Sequence, residues 1–117
     1  MKQVDIVKAY KDLEALSDIK DFHSEEQWAL YSLRKELRSY VDFYEERMKA
    51  IADKYSEFAD ENGMITGQHY LDYTREKSDL DNMEIKEEIK KIELPIVDGI
   101  TFLTMEALDN FIIFKVN

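Results

Sequence analysis

The sequence predicts a mainly α-helical fold with a small β element: a long antiparallel helical hairpin covered by a C-terminal extended segment and a short helix. Three observations carry this expectation. Only three glycines and one proline interrupt 117 residues. Apolar side chains recur at three- and four-residue steps through most of the first half. Near the end, in KIELPIVDGITFLTMEALDNFIIF (91–114), the period changes to two. A chain of this length suits one domain with a modest core.

Taken in order, residues 4–16 (VDIVKAYKDLEAL) place Ile6, Val7, Tyr10, Leu13 and Leu16 on one face, which predicts an amphipathic helix of about three turns. SDIKDFH (17–23) breaks the pattern and reads as a connection. Ser24 has the character of an N-cap, with Gln27 placed to close a capping box and two glutamates beside the helix dipole. From there a long helix is predicted over about 24–59, roughly 54 Å at 1.5 Å per residue.

Along that helix Leu37, Val41, Tyr44, Met48, Ile51, Tyr55 and Phe58 alternate steps of four and three. Such a heptad seam calls for a partner helix. Upstream, Trp28, Leu30, Tyr31, Leu33 and Tyr40 widen the apolar face, so the first half is expected to be covered on more than one side. The first helix is too short to cover the whole seam. The remainder is expected to face either later segments or a second copy of the chain, and these seven residues form the candidate interface of a homodimer.

ADENGMITG (59–67) ends the long helix with two of the three glycines, and residues 60–77 are expected as a loop. A further helix is predicted over about 78–91, where Leu80, Met83, Ile85, Ile89 and Ile92 share a side. Ile92, Leu94 and Ile96 then alternate. Pro95 confines that segment to an edge strand, and DG (98–99) is a turn signal before ITFL, giving an extended pair over about 92–103. Thr104 is expected to cap a last helix over about 104–113, burying Leu108, Phe111 and Ile112.

Charge narrows the function classes. The net charge is −10. Residues 1–59 hold 13 acids and 10 bases (−3), residues 60–109 hold 13 acids and 5 bases (−8), and Lys115 adds +1. A chain this acidic repels phosphate backbones, so direct nucleic-acid binding is disfavoured. No run approaches the ~20 apolar residues of a membrane span. MKQVDIVKAY lacks a signal-peptide pattern, which points to the cytoplasm. Absence of cysteine excludes disulfides and thiolate chemistry.

Catalytic signatures are missing as well. His23 with Glu25 and Glu26, and His69 with Asp72, are the histidine–carboxylate pairs, and neither supplies the three ligands of a catalytic zinc site. No serine or threonine sits in a nucleophile elbow, and the glycines are isolated from one another, so no loop cradles phosphate. No enzyme, cofactor or metal is expected. Tyr31, Tyr40, Tyr44 and Tyr55, with Arg34, Arg38 and Arg47, all lie on the long helix, and such side chains serve either a core or an interface.

Four stretches together resemble a family of small proteins of unknown function encoded by bacteriophages and prophages of low-GC Gram-positive bacteria. They are VKAYKDLEALS, MKAIADKYSEFADENG, EEIKKIELPIV and LTMEALDNFIIF, and in that order they span nearly the whole chain. MITGQHYLDYT has no counterpart among them. The resemblance implies a phage accessory protein, encoded near tail or lysis genes and residing in the infected host's cytoplasm or with the virion. It transfers no catalytic residues. The expected function is therefore a structural or assembly role through helix-mediated contacts with itself or with a phage or host protein. The alternative is an acidic inhibitor of a host defence or nucleic-acid-processing protein.

Overall fold

A computed structural model describes residues 1–116 of the chain. In order it contains α1 (Gln3–Leu16), α2 (Ser24–Ser56), α3 (Gly67–Asp81), β1 (Ile92–Pro95), α4 (Phe102–Ala107) and β2 (Ile112–Lys115). The fold is mainly helical with a small two-stranded sheet, as the sequence predicts. The molecule is elongated, 56 × 30 × 20 Å, because its spine is the uninterrupted 33-residue helix α2.

Two short helices lie antiparallel along that spine, one after the other. Gln3 of α1 meets Tyr40 of α2, while Tyr10 meets Arg38 nearer the N-terminal end of α2. Asp81 of α3 meets Tyr44, Glu76 meets Lys54, and His69 meets Phe58 near the far end. The loop between α2 and α3 is closed by Asp60, whose Oδ1 accepts from the amides of Asn62 and Met64. Gly63, at φ 77°, supplies the left-handed residue that this tight reversal needs.

The main core forms where α1 crosses the first half of α2. Ile6, Leu13 and Leu16 interlock with Leu30, Leu33, Leu37 and Val41, and Ile89, Leu94, Leu108, Phe111 and Ile112 close over them. Each fully buried side chain of this kind contributes about 1.5–3 kcal/mol through area removed from water. A smaller cluster of Ile51, Tyr55 and Leu80 joins α2 to α3, flanked by partly buried Tyr44, Met48, Ile65 and Tyr73.

β1 and β2 pair in parallel, with Ile92 opposite Ile112 and Leu94 opposite Phe114. A parallel pair needs a long crossover, and residues 96–111, including α4, provide it. Leu94 and Ile112 point into the core, while Glu93 and Lys115 form an ion pair at 2.8 Å on the outer face.

Several boundaries differ from the sequence expectations. The N-cap of α2 is His23 rather than Ser24, and its amide donates to Glu26 Oε1. The expected loop over 60–77 contains most of α3. The helix expected over 78–91 ends at Asp81, and the chain then runs extended. There Met83 C=O accepts from Gln3 N–H and Ile85 N–H donates to Met1 C=O. The extended pair expected over 92–103 does not pair with itself, since β1 finds its partner beyond α4. The last helix begins at Phe102, capped by Thr101 rather than Thr104, and stops at Ala107. Leu108, Phe111 and Ile112 are buried as expected, but from a turn and a strand. Their helical spacing arises because both hold one side against the core.

Candidate protein-interaction surface

Most of the predicted interface is covered from within. Leu37 and Val41 belong to the main core, and Ile51 and Tyr55 are buried against α3. Tyr44 and Met48 pack at the edge of the second cluster, and Tyr44 Oη donates to Asp81 Oδ1 at 2.6 Å. Phe58 lies flat on the His69 ring, with centroids 3.7 Å apart and planes 7° apart. The cover is α3, in the stretch expected to be a loop. Four of the seven are buried and two half-buried, while Phe58 keeps 40% of its surface exposed.

The histidines have structural work. His23 stands at the N-cap of α2, where its backbone amide donates to Glu26 Oε1, and His69 stacks on Phe58. Among the described residues no group of three or more acidic or histidine side chains is placed to hold a metal ion.

What α2 does offer is a second stripe. Trp28, Tyr31, Lys35, Arg38 and Asp42 follow the same three-and-four spacing as the buried residues but are turned outward, and all five are exposed. Trp28 keeps 68% of its surface in solvent. Its ring stacks on Tyr31 with centroids 5.6 Å apart and planes 30° apart. Beside them a groove of about 440 Å³ runs between α1 and α2, lined by Tyr10, Tyr31, Arg34, Lys35, Arg38 and Asp42.

Electrostatics set this groove apart from the rest of the molecule. Three bases, Arg34, Lys35 and Arg38, face one acid there, on a chain whose net charge is −10. Arg38 donates to Tyr10 Oη at 3.3 Å and to Asp42 Oδ1 at 2.9 Å. These two partners, Tyr10 foremost, raise its already high pKa. Arg34 Nε is buried without a hydrogen-bond partner, an uncommon state for a charged donor. Tryptophan, tyrosine and arginine are the residues on which binding energy concentrates in protein interfaces.

A second apolar surface lies at the C-terminal end. Phe102 and Leu103 of α4 each keep 76% of their surface exposed, and Ile113 of β2 keeps 44%. Between α4 and β2 a groove of about 480 Å³ is lined by Lys91, Phe102, Met105, Glu106, Asp109, Ile112, Ile113 and Phe114.

Sequence reasoning counted Trp28 and Tyr31 as part of a widened core face. The signal against that was present: both share their stripe with Lys35 and Arg38, whereas the buried stripe is wholly apolar through Leu30, Leu33, Leu37 and Val41. Exposure of Phe102 and Leu103 had no comparable signal, because ITFL reads as a half-buried strand. No family model, no curated protein and no solved structure matches this chain.

Proposed function

We propose that this protein is a non-enzymatic accessory protein of a bacteriophage or prophage, acting through helix-mediated contacts with another protein in a structural or assembly role. The observation that carries the contact surface is the exposed, pre-stacked Trp28–Tyr31 pair beside the basic groove of Arg34, Lys35 and Arg38. Two stacked aromatic rings, each with two side-chain torsions, supply apolar area at modest entropic cost. The bases select an acidic partner surface. The phage setting rests on the sequence resemblance.

The test is affinity capture from an infected Gram-positive host, comparing wild type with the double variant Trp28→Ala, Tyr31→Ala. Both side chains are exposed, so the variant is expected to melt like wild type. A partner held by wild type and lost by the variant supports the proposal; an identical captured set overturns it.

A second reading, the acidic inhibitor, is favoured by one observation. Asp79, Glu84, Glu87, Glu88, Glu93 and Asp98 are all exposed along the chain from the end of α3 toward α4. On this reading a nucleic-acid-processing enzyme is captured through that stretch, survives the aromatic variant, and is lost when Glu87 and Glu88 are replaced by lysine.

A further inference from the structure

The two-stranded sheet has two edges, and they are not alike. In the ladder Ile92 N–H donates to Phe111 C=O, and Ile96 N–H donates to Lys115 C=O. The odd-numbered residues of β2 therefore turn their backbone groups toward β1. By the alternation of a parallel ladder, Ile112 and Phe114 turn their N–H groups the other way; Ile112 N–H donates to Leu108 C=O, which leaves the Phe114 N–H as the open donor. On β1 the outward-turned residues are Glu93 and Pro95, and Pro95 has no N–H to offer. The β1 edge is blunted at Pro95, and the β2 edge is open at Phe114.

The open edge faces a groove of strand-accommodating character. Phe102 and Met105 of α4 form its far wall, and Ile112, Ile113 and Phe114 its near wall. Phe102, which lines it, and the next residue Leu103 are each 76% exposed, on a six-residue helix that buries none of its side chains. An open edge beside exposed apolar side chains is an aggregation hazard that proteins ordinarily cover or charge. Retained uncovered, it is the arrangement by which a sheet accepts an added strand. Backbone hydrogen bonds then supply affinity and flanking pockets read alternate side chains.

We propose that the open edge of β2 is a docking site for an extended segment of a partner protein, apolar at alternate positions and basic between them, which adds as a third strand between β2 and α4. The charge follows from the walls, where Glu106 and Asp109 outnumber Lys91, and from the net −10 of the chain. A second copy of this chain is a poor occupant for the same reason: edge-to-edge pairing would bring two such acidic walls and two strongly negative molecules together. This site is distinct from the Trp28 stripe in place and in chemistry, so either proposal can fail alone.

The experiment uses a short fluorescent peptide of alternating valine and lysine, the same peptide N-methylated at alternate amides, and one with glutamate in place of lysine. The valine–lysine peptide is expected to bind saturably and to slow hydrogen exchange at the Phe114 amide. N-methylation keeps the charge but removes the ladder donors, and should weaken binding by at least about tenfold. Phe102→Ser should weaken it similarly, Trp28→Ala should leave it unchanged, and the glutamate peptide should not bind. Equal binding of the methylated peptide would reduce the effect to charge attraction and overturn the proposal. So would absence of binding, unchanged exchange at Phe114, or a dimer in light scattering whose Phe114 amide is already protected without peptide.

Discussion

Along its first half, α2 is held by Leu30, Leu33, Leu37 and Val41, which meet apolar side chains from α1, β1, β2 and the turn before β2. Along its second half it is held by Ile51 and Tyr55 against Leu80, with tyrosines and a methionine at the margin. The first half is closed by aliphatic packing from several directions. The second is closed from one side, and its periphery is polar: Tyr44 bonds Asp81, Lys54 bonds Glu76, and Tyr55 meets Tyr73 edge-on at 5.5 Å. One continuous helix therefore carries a stable end and a weaker end. Local unfolding starts where buried apolar contacts are few, so the α2–α3 hairpin should open before the rest.

The largest effect should come from Leu37→Ala. Leu37 is fully buried at the centre of the main core, and such truncations cost about 2–5 kcal/mol. Calorimetry should show the main transition falling by about 4–8 °C per kcal/mol lost. A loss below about 1 kcal/mol would mean the core is looser than its burial implies.

Next comes the pair Met48→Glu, Ile51→Glu, which puts charge between α2 and α3. If this seam joined two molecules, the double variant would become a well-folded monomer. With the seam filled by α3, hydrogen exchange should accelerate across 67–81 while the amides of α1 keep their protection. A variant that dissociates from a dimer yet stays fully protected would mean that α3 is not the cover.

How much of this was legible follows from the same contrast. α1 and the first half of α2 announce themselves because long apolar periodicity and burial coincide. α3 does not. It begins at Gly67, and Tyr70 and Leu71 point to solvent while Leu80 alone among its residues is buried. Its apolar pattern is therefore blurred by residues that do not pack. The parallel strand pair was illegible for another reason, since Ile92 and Ile112 find each other across twenty residues and local periodicity carries no information about that. The cover that α3 lays over the second half of the seam was illegible with α3 itself. With that cover in view, the outward aromatic stripe becomes the feature to explain.

A smaller effect tests the polar margin. Burial foremost, then the Asp81 hydrogen bond, pushes the Tyr44 hydroxyl up to about 12. The folded state thus favours the neutral phenol. Its contribution is intact below the ordinary tyrosine value of about 10 and fades as pH rises toward about 12. Tyr44→Phe should cost about 1 kcal/mol at neutral pH and remove that part of the alkaline destabilisation in thermal melts. If melts of the variant and of wild type decline in parallel above the ordinary tyrosine pKa, the bond to Asp81 contributes nothing.

The smallest effect lies at acid pH. Lys54 holds Glu76 below the ordinary glutamate value. The contribution is present above that ordinary value and is lost as pH falls through the lowered one. Both partners are solvent-accessible, so the pair is worth little. Lys54→Met should slightly loosen α3 near neutral pH and erase the difference in acid, as read by exchange of the α3 amides.

The unbroken run of α2 has a mechanical meaning. A helix without glycine or proline over 33 residues has none of the usual sites for a kink. The layer laid over it, by contrast, is jointed where α1 gives way to α3. The molecule is thus a stiff beam under a segmented sleeve. Slackening the distal segment would leave the beam straight, so a load applied at the α2–α3 tip would reach the Trp28 end as a rotation of the whole rod rather than a bend within it.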